Sequence, residues 1–432
     1  MLVQFTVGNF KSFKDKATLS LEATTDDWRE DDNISHVTNP DLRLVKAAAV
    51  YGPNAGGKSN FIEAMVQFRK LILGSSKDRQ MGEPIPVTPF RLHRSTEDAP
   101  TFFEGLFLRD GIRYRYGFEA TREAIVSEWL YKQADSIRPT CLFTRENNSI
   151  AIGDTFKEGK GLEERTRSNA LFLSVVAQFN GSIASEVISW IGQFQVITGL
   201  SGDGYLRVTA KLLSEKAYGA SIRELVRQAD VGIEDLIRED IAKDQFLERL
   251  LKDRKNLPPS IRDSIMQNPS PGVSILRTVH QLFDSDNRAV GNVEFDFASE
   301  ESAGTQQFFA LAGPFLHTLG EGSVLVVDEL DAHLHPLLTR QLVALFNSSA
   351  NRKNAQLIFA THDQGLLDSK KMRRDQIWFV EKDTMGASTL FCLDEIKGVR
   401  KDANFEKEYL LGQFGGVPHT GDFQKAIDHA KE

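Results

Sequence analysis

The sequence predicts an α/β protein centred on a parallel sheet, with an antiparallel β-subdomain and a small α-helical insert. Three observations carry that prediction. First, the apolar run "LVKAAAVYG" (44–52) flows into a glycine-rich loop and then into a helix-spaced segment. Second, "SVLVVDE" (323–329) and "AQLIFATHD" (355–363) flank the helix-length "PLLTRQLVALFNS". Strand, helix, strand in this rhythm argues parallel strands with right-handed crossovers, and buried parallel strands read as near-continuous apolar runs. Third, "TFFEGLFLRDGIRYRYGFEAT" (101–121) alternates about Asp110-Gly111, a strong hairpin signal.

The remaining elements follow in order. Residues 2–7 and 16–23 alternate as strands, and the polar 24–41 segment reads as an exposed loop. "NFIEAMVQFRKLIL" places Phe61, Ile62, Met65, Val66 and Phe68 at helical spacing. "AIVSEWLYKQ" adds a third antiparallel strand. Residues 210–290 read as a polar helical insert ("SIRELVRQA", "DQFLERLLKDR", "SIRDSIM") broken by Pro258, Pro259, Pro269 and Pro271. "DQIWFVEKD" and "STLFCLDE" supply two late strands.

Composition bounds the function. The 432 residues are 41% hydrophobic and 26% charged, which suits a soluble globular chain with a sizeable core. No apolar run reaches the length of a membrane span, and no secretory signal opens the chain. Cys141 and Cys392 lack ligand spacing and read as buried thiols in a reducing compartment, so a cytoplasmic location is expected. The net charge of −8 excludes a global basic field for nucleic acid.

Four stretches carry chemistry. Gly52-Pro53-Asn54-Ala55-Gly56-Gly57-Lys58-Ser59, followed by Asn60, fits the spacing of a phosphate-holding loop. Its glycines let backbone amides turn toward phosphates, the helix dipole favours the anion, Lys58 neutralises it and Ser59 offers an oxygen to Mg²⁺. Asp328 and Glu329 end an apolar strand, where an aspartate can hold a magnesium shell and a glutamate can act as a general base. Ser302, Gly304 and Gln306 in "EESAGTQQFFAL" open an apolar helix that Ser302 can cap. His362 in "FATHD" lies just past a strand, where it could hold a γ-phosphate and an attacking water. His333 and His335 beside a carboxylate are poor evidence for zinc without further ligands.

The order of these parts resembles the ATP-binding cassette ATPases, in the branch of SMC, RecF and OLD-like proteins. The resemblance implies an ABC-ATPase head that sandwiches two ATP·Mg²⁺ between two subunits. Ser302 and Gly304 would act on the partner's nucleotide, with Glu329 as base and His362 as switch histidine. "FTVGNFKSFKDKATLSLE" resembles the N-terminal strands of that branch, implying that Asn9, Lys11 and Ser12 lie near the base or ribose. That branch also carries a glutamine after its antiparallel β-subdomain, a point that "LFLSVVAQFN" gives to Gln178, and the resemblance implies that it contacts magnesium and the attacking water. The sequence departs from transporter cassettes, since Glu-Ser-Ala-Gly-Thr-Gln replaces their fuller signature and His333-Leu334-His335-Pro336 replaces their next loop.

Further stretches, including "TPFRL", "NALFLSVVAQFN", "ADVGIEDL", "RRDQIWFVEKD" and "YLLGQFGGVP", are similar to compact prokaryotic AAA-type ATPases of the RloA kind. The implied organisation is a Walker A lobe (1–85), an antiparallel β-subdomain with the Q-loop region (86–200), a helical insert (201–290) and a C-terminal ATPase lobe (291–432). The implied setting is anti-phage defence, with a homodimer or higher oligomer controlling an effector nuclease or toxin. The competing expectation is a RecF-like DNA clamp in repair. Arg238, Arg249, Lys252, Arg254 and Lys255 of the insert would then meet phosphates. A nuclease reading lacks a toprim-like block of acids.

Overall fold

The computed structural model describes residues 1–37, 42–134, 138–198, 203–229, 232–253 and 272–417. Its strands, in chain order, are β1 (Leu2–Gly8), β2 (Ala17–Ser20), β3 (Ile34–His36), β4 (Arg43–Val45), β5 (Ala47–Tyr51), β6 (Thr101–Arg109), β7 (Ile112–Ala120), β8 (Ile125–Gln133), β9 (Thr140–Glu146) and β10 (Ser149–Ile152). They continue as β11 (Gln195–Ile197), β12 (Ile233–Ala242), β13 (Gly272–Phe283), β14 (Ala289–Asp296), β15 (Val324–Val327), β16 (Gln356–Ala360), β17 (Ile377–Lys382) and β18 (Ser388–Cys392).

The chain forms two units. The first comprises Met1–Gly199, Thr318–Ala332 and Thr339–Glu432. It holds a sheet ordered β11-β15-β16-β5-β17-β18, parallel except for the β17–β18 hairpin. β5, β15 and β16 are buried along their whole lengths, as their apolar runs require. The unit also holds an antiparallel sheet ordered β10-β9-β8-β7-β6-β1-β2. The β6–β7 turn has Asp110 at φ 48° and Gly111 at φ 77°, as a tight hairpin demands.

The helix Lys58–Gly74 buries the expected Phe61, Ile62, Met65 and Phe68, together with Leu71 and Ile72, while Val66 is only half-buried at the margin of that face. Phe5 of β1 meets Phe61 and Phe68 edge-on at 5.7 and 5.5 Å, and Phe68 stacks on Phe118 at 5.9 Å. Burying each such ring contributes roughly 1.5–3 kcal/mol, which pins the helix to the antiparallel sheet.

Two expectations for this unit need correction. The segment 24–41 is not simply an exposed loop. It carries a helical turn at Glu30–Asn33 and then β3, with Asn33, Ile34 and Ser35 buried; residues 38–41 lie outside the described part. The Asn33 amide donates to Lys371 O and Gln376 Oε1 at 2.8 and 2.6 Å, so polar composition here serves buried hydrogen bonds. Cys392 is buried but Cys141 is exposed, because it lies in the exposed opening of β9, where the strand's first two residues face solvent.

The second unit comprises Leu200–His317 and His333–Leu338. The insert is not purely helical. The helices Asp203–Leu213, Gly219–Ala229 and Lys243–Asp253 accompany an antiparallel sheet ordered β12-β13-β14. The sheet escaped the sequence reading because β14 is largely exposed and β12 lacks clean alternation, so neither shows a strong period of two. The expected helix at 260–266 and all four prolines lie outside the described residues.

The helix Ala303–Glu321 tolerates Pro314 through one substitution of partners. Proline has no N–H for the carbonyl four residues back, which is Ala310. The Thr209 hydroxyl donates to Ala310 O instead, at 2.9 Å, and accepts from Gly313 N at 3.2 Å.

Candidate functional site

Parallel strands bring their C-terminal ends to one sheet edge, where ligands bind in such sheets. Val327, Phe359 and Ala49 stand at one level across β15, β16 and β5. Asp328, His362 and Gly52 therefore leave the sheet at the same edge. This register gathers residues that lie hundreds of positions apart in the chain.

The loop after β5 requires its glycines at two places. A Cβ on Gly52, at φ 156°, would collide with Val380 O of the adjacent strand. Gly57 has φ 124°, a region closed to other residues, and caps the helix beginning at Lys58. Lys58 is buried, and its Nζ donates to Gly52 O at 2.8 Å and Pro53 O at 3.2 Å. Burial lowers its pKa, while Asp328, Glu329 and Asp331 oppose that shift. Pro53, Asn54, Ala55 and Gly56 line a cleft of about 720 Å³ together with His362, Gln364 and Tyr409. The Asn60 amide donates to Ser12 Oγ at 2.8 Å.

Asp328 accepts a hydrogen bond from the Ser59 side chain. Burial raises the Asp328 pKa and the nearby Glu329 charge adds to the rise, while Ser59 and Lys58 pull it down. Its Oδ1 is buried without a hydrogen-bond partner. An orphaned carboxylate oxygen beside a serine hydroxyl is a donor set that fits Mg²⁺, a hard ion that takes few protein ligands beside phosphate and water. No group of three or more His, Cys, Asp or Glu among the described residues could hold a metal. Asp328 N donates to Ile197 O at 2.9 Å, which ties β11 to this carboxylate.

Glu329 follows in the left-handed region at φ 52°, with its side chain exposed. Non-glycine residues seldom occupy that conformation. Leu330 N then donates to Ala360 O at 3.0 Å, fastening the turn to β16. Both oxygens of Asp331 accept from the backbone amide of His362 at 3.2 Å. Partial desolvation of the His362 ring lowers its pKa; Lys58 lowers it further, and Asp331, Glu329 and Asp328 oppose them. Lys58, Ser59, Asp328, Glu329 and His362 thus form one electrostatically coupled group.

Other expected site residues stand apart from that group. Gln178 is exposed at the end of the helix Phe172–Gln178. Ser174 of that helix bonds to Ser75, just past the end of the helix that Lys58 opens. At 1.5 Å per residue, the helix from Lys58 to Gly74 spans roughly 25 Å, so Gln178 is not brought to Ser59 and Asp328. Asn9 is buried and structural. Its amide donates to Thr96 O and Ala99 O, and its Oδ1 accepts from Phe90 N. The Lys11 ammonium stands 5.8 Å from the Phe10 ring. Ser12, by contrast, touches the loop through Asn60. Sequence reasoning missed Asp331 and Ile197. Asp331 had a signal as the third acid of "DELD", whereas Ile197 acts through its backbone and had none.

In the second unit, Ser302 Oγ accepts from Thr305 N at 3.1 Å and so caps its helix, as predicted. Ser302 and Ala303 are exposed, leaving that helix N-terminus open to solvent. Gly304 admits no side chain, since a Cβ would lie 2.9 Å from His333 O. Gln306 Nε2 donates to the carbonyls of Phe297, Ala298 and Glu301 at 3.0–3.1 Å and closes the preceding loop. Among the basic residues of the insert, Arg238 is engaged by Asp240 at 2.9 Å and Ala210 O at 2.7 Å. Arg254, Lys255 and the side chains of Arg249 and Lys252 lie outside the described part.

Comparisons place the chain among known proteins. Solved structures with similarity include the SMC head domain from Thermotoga maritima, at 15% identity and TM-score 0.39, covering 90% of this chain and 98% of that one. An SMC head bound to the C-winged helix domain of ScpA matches at 12% identity and TM-score 0.47, covering 90% and 97%. An SMC head with an extended coiled coil, bound to the C-terminal domain of ScpA derived from Pyrococcus furiosus, matches at 11% identity and TM-score 0.36, covering 90% and 96%. No curated protein matches the sequence. A family model described as "AAA domain, putative AbiEii toxin, Type IV TA system" matches residues 47–368. That span is more than half of the chain and contains the loop, the acidic pair and His362, so the protein belongs to this AAA-domain family.

Proposed function

We propose that the protein binds ATP·Mg²⁺ on Gly52–Ser59 and hydrolyses it to ADP and phosphate. The observation that carries this reading is the convergence of Lys58, Ser59, Asp328, Glu329 and His362 at one sheet edge. Lys58 and the loop amides bind the phosphates. Ser59 and Asp328 would hold Mg²⁺, which supplies charge neutralisation when bound. Glu329 takes a proton from water, the water oxygen bonds to the γ-phosphorus and the bond to the bridging oxygen breaks. His362, held through its amide by Asp331, orients that water and the γ-phosphate.

Two copies close on two nucleotides, with Ser302 and Gly304 of each completing the site of the other. The exposed N-terminus beginning at Ser302 suits a phosphate, but it has no lysine or arginine in the 297–306 stretch, so the cations come from the other copy's site. The nucleotide state then controls a toxic effector in anti-phage defence. The family description, which names a toxin of a toxin–antitoxin system, supports that setting.

The test is Glu329→Gln. It should keep ATP binding, lower turnover by about 10²–10⁴-fold and trap an ATP-bound dimer visible by light scattering. Wild-type turnover in this variant would refute the base assignment.

A further inference from the structure

The phosphate loop is held from outside by a residue far from any nucleotide-binding motif. Ser388 opens β18, the antiparallel edge strand beside β17. It is buried, and its Oγ donates to Gly56 O at 2.6 Å. Its own amide donates to Ser12 O at 2.7 Å. Ser12 Oγ in turn accepts from Asn60, in the first turn of the loop helix. A Cβ on Gly57 would lie 2.5 Å from Ser388 Oγ and 3.0 Å from Ser12 Oγ, so both hydroxyls press on that glycine. Ser12 is fixed in turn by a tight turn in which Phe10 and Phe13 exchange both backbone hydrogen bonds at 2.8 Å.

The geometry has a directional consequence. The Gly56–Gly57 peptide is trans, so its N–H points opposite to its C=O. With the carbonyl drawn toward Ser388, the Gly57 amide is turned away from β18. A phosphate loop works by presenting such amides to an anion. A free glycine pair would sample many peptide orientations.

We infer that Ser388, with Ser12, is a positioning residue that fixes the Gly56–Gly57 peptide so that the Gly57 amide faces the β-phosphate. The inference rests on the proposed nucleotide site. It predicts a binding effect shared by di- and triphosphates, with chemistry untouched once the site is filled.

The experiment measures MgADP and MgATP affinity by calorimetry, and steady-state turnover, for the full chain and for Ser388→Ala and Ser388→Cys. Ser388→Ala should weaken both nucleotides equally, by about five- to tenfold, the worth of one hydrogen bond. KM for MgATP should rise with kcat unchanged, and the unfolding midpoint without nucleotide should stay within a degree or two of wild type. Ser388→Cys keeps the volume and a weak donor, so it should lose less and remains informative if the alanine variant does not fold. Affinities within twofold of wild type in the folded variants would overturn the inference. Equal losses in kcat and kcat/KM would also overturn it. Absence of nucleotide binding by the wild-type chain would instead overturn the reading of the loop itself.

Discussion

The turn at Gly52–Ser59 and the turn at Ser302–Gln306 are both helix N-termini entered through small residues, yet they are built for different work. The first has its own cation, Lys58, and its own carboxylates, and its entry glycine cannot cap the helix with a side chain. The second caps itself with Ser302, devotes the Gln306 amide to its own loop and lies in a segment, 297–306, that contains acids and no Lys or Arg. A free helix N-terminus carries only about half a positive charge, and this one has no lysine of its own comparable to Lys58. The contrast fits the proposal, in which the first turn anchors the phosphates with its own cation and the second contributes to the site of another copy. Both support the proposed division of labour between copies.

Substitutions can break this contrast. The largest effect is expected from Lys58→Ala, which removes the anchor's cation. ATP affinity should fall about a hundredfold or more by calorimetry, since charge-assisted contacts are the strong ones. Retained affinity would make the two turns alike. Ser302→Arg should leave single-copy ATP binding within about twofold while blocking closure, since binding energy there arises only in the closed state. Loss of binding in isolated copies would deny the asymmetry.

A smaller effect concerns pH. The folded pKa of His362 lies below its ordinary value of about 6.5. The unfolded chain therefore takes up a proton that the folded chain refuses, and stability falls as pH drops below that value until the folded pKa is passed. Urea midpoints at pH 7.5 and 5.5 should differ less in His362→Gln than in wild type. The smallest effect is expected at Gln178. Its exposed position at the far end of the loop helix predicts that Gln178→Ala leaves turnover within about twofold; a hundredfold loss would mean that it reaches the site after all.

The same contrast marks what the sequence made legible. β5, the loop and its helix were readable because glycine spacing and a 3.6-residue period are local signals, and Asp328, Glu329 and His362 were readable as strand ends. The sheet of β12, β13 and β14 was not, because exposed strands lose the alternation that betrays burial. Gln178 was placed by its order in the chain, and order along a chain does not fix which end of a helix a residue meets. Thr209 standing in for the missing Pro314 amide, Asp331 clamping His362 and Ser388 bracing Gly56 are tertiary hydrogen bonds, and no local pattern encodes them.

The central claim is that each site is assembled from two copies. The direct test mixes Lys58→Ala chains with Ser302→Arg chains and measures ATP turnover. In a mixed dimer one site carries both lesions, while the other pairs an intact loop with an intact Ser302 turn. Each variant alone should be inactive, and turnover should reappear on mixing in proportion to the mixed dimer formed. A mixture as inactive as its parts, with mixed dimers demonstrably present, would contradict the account.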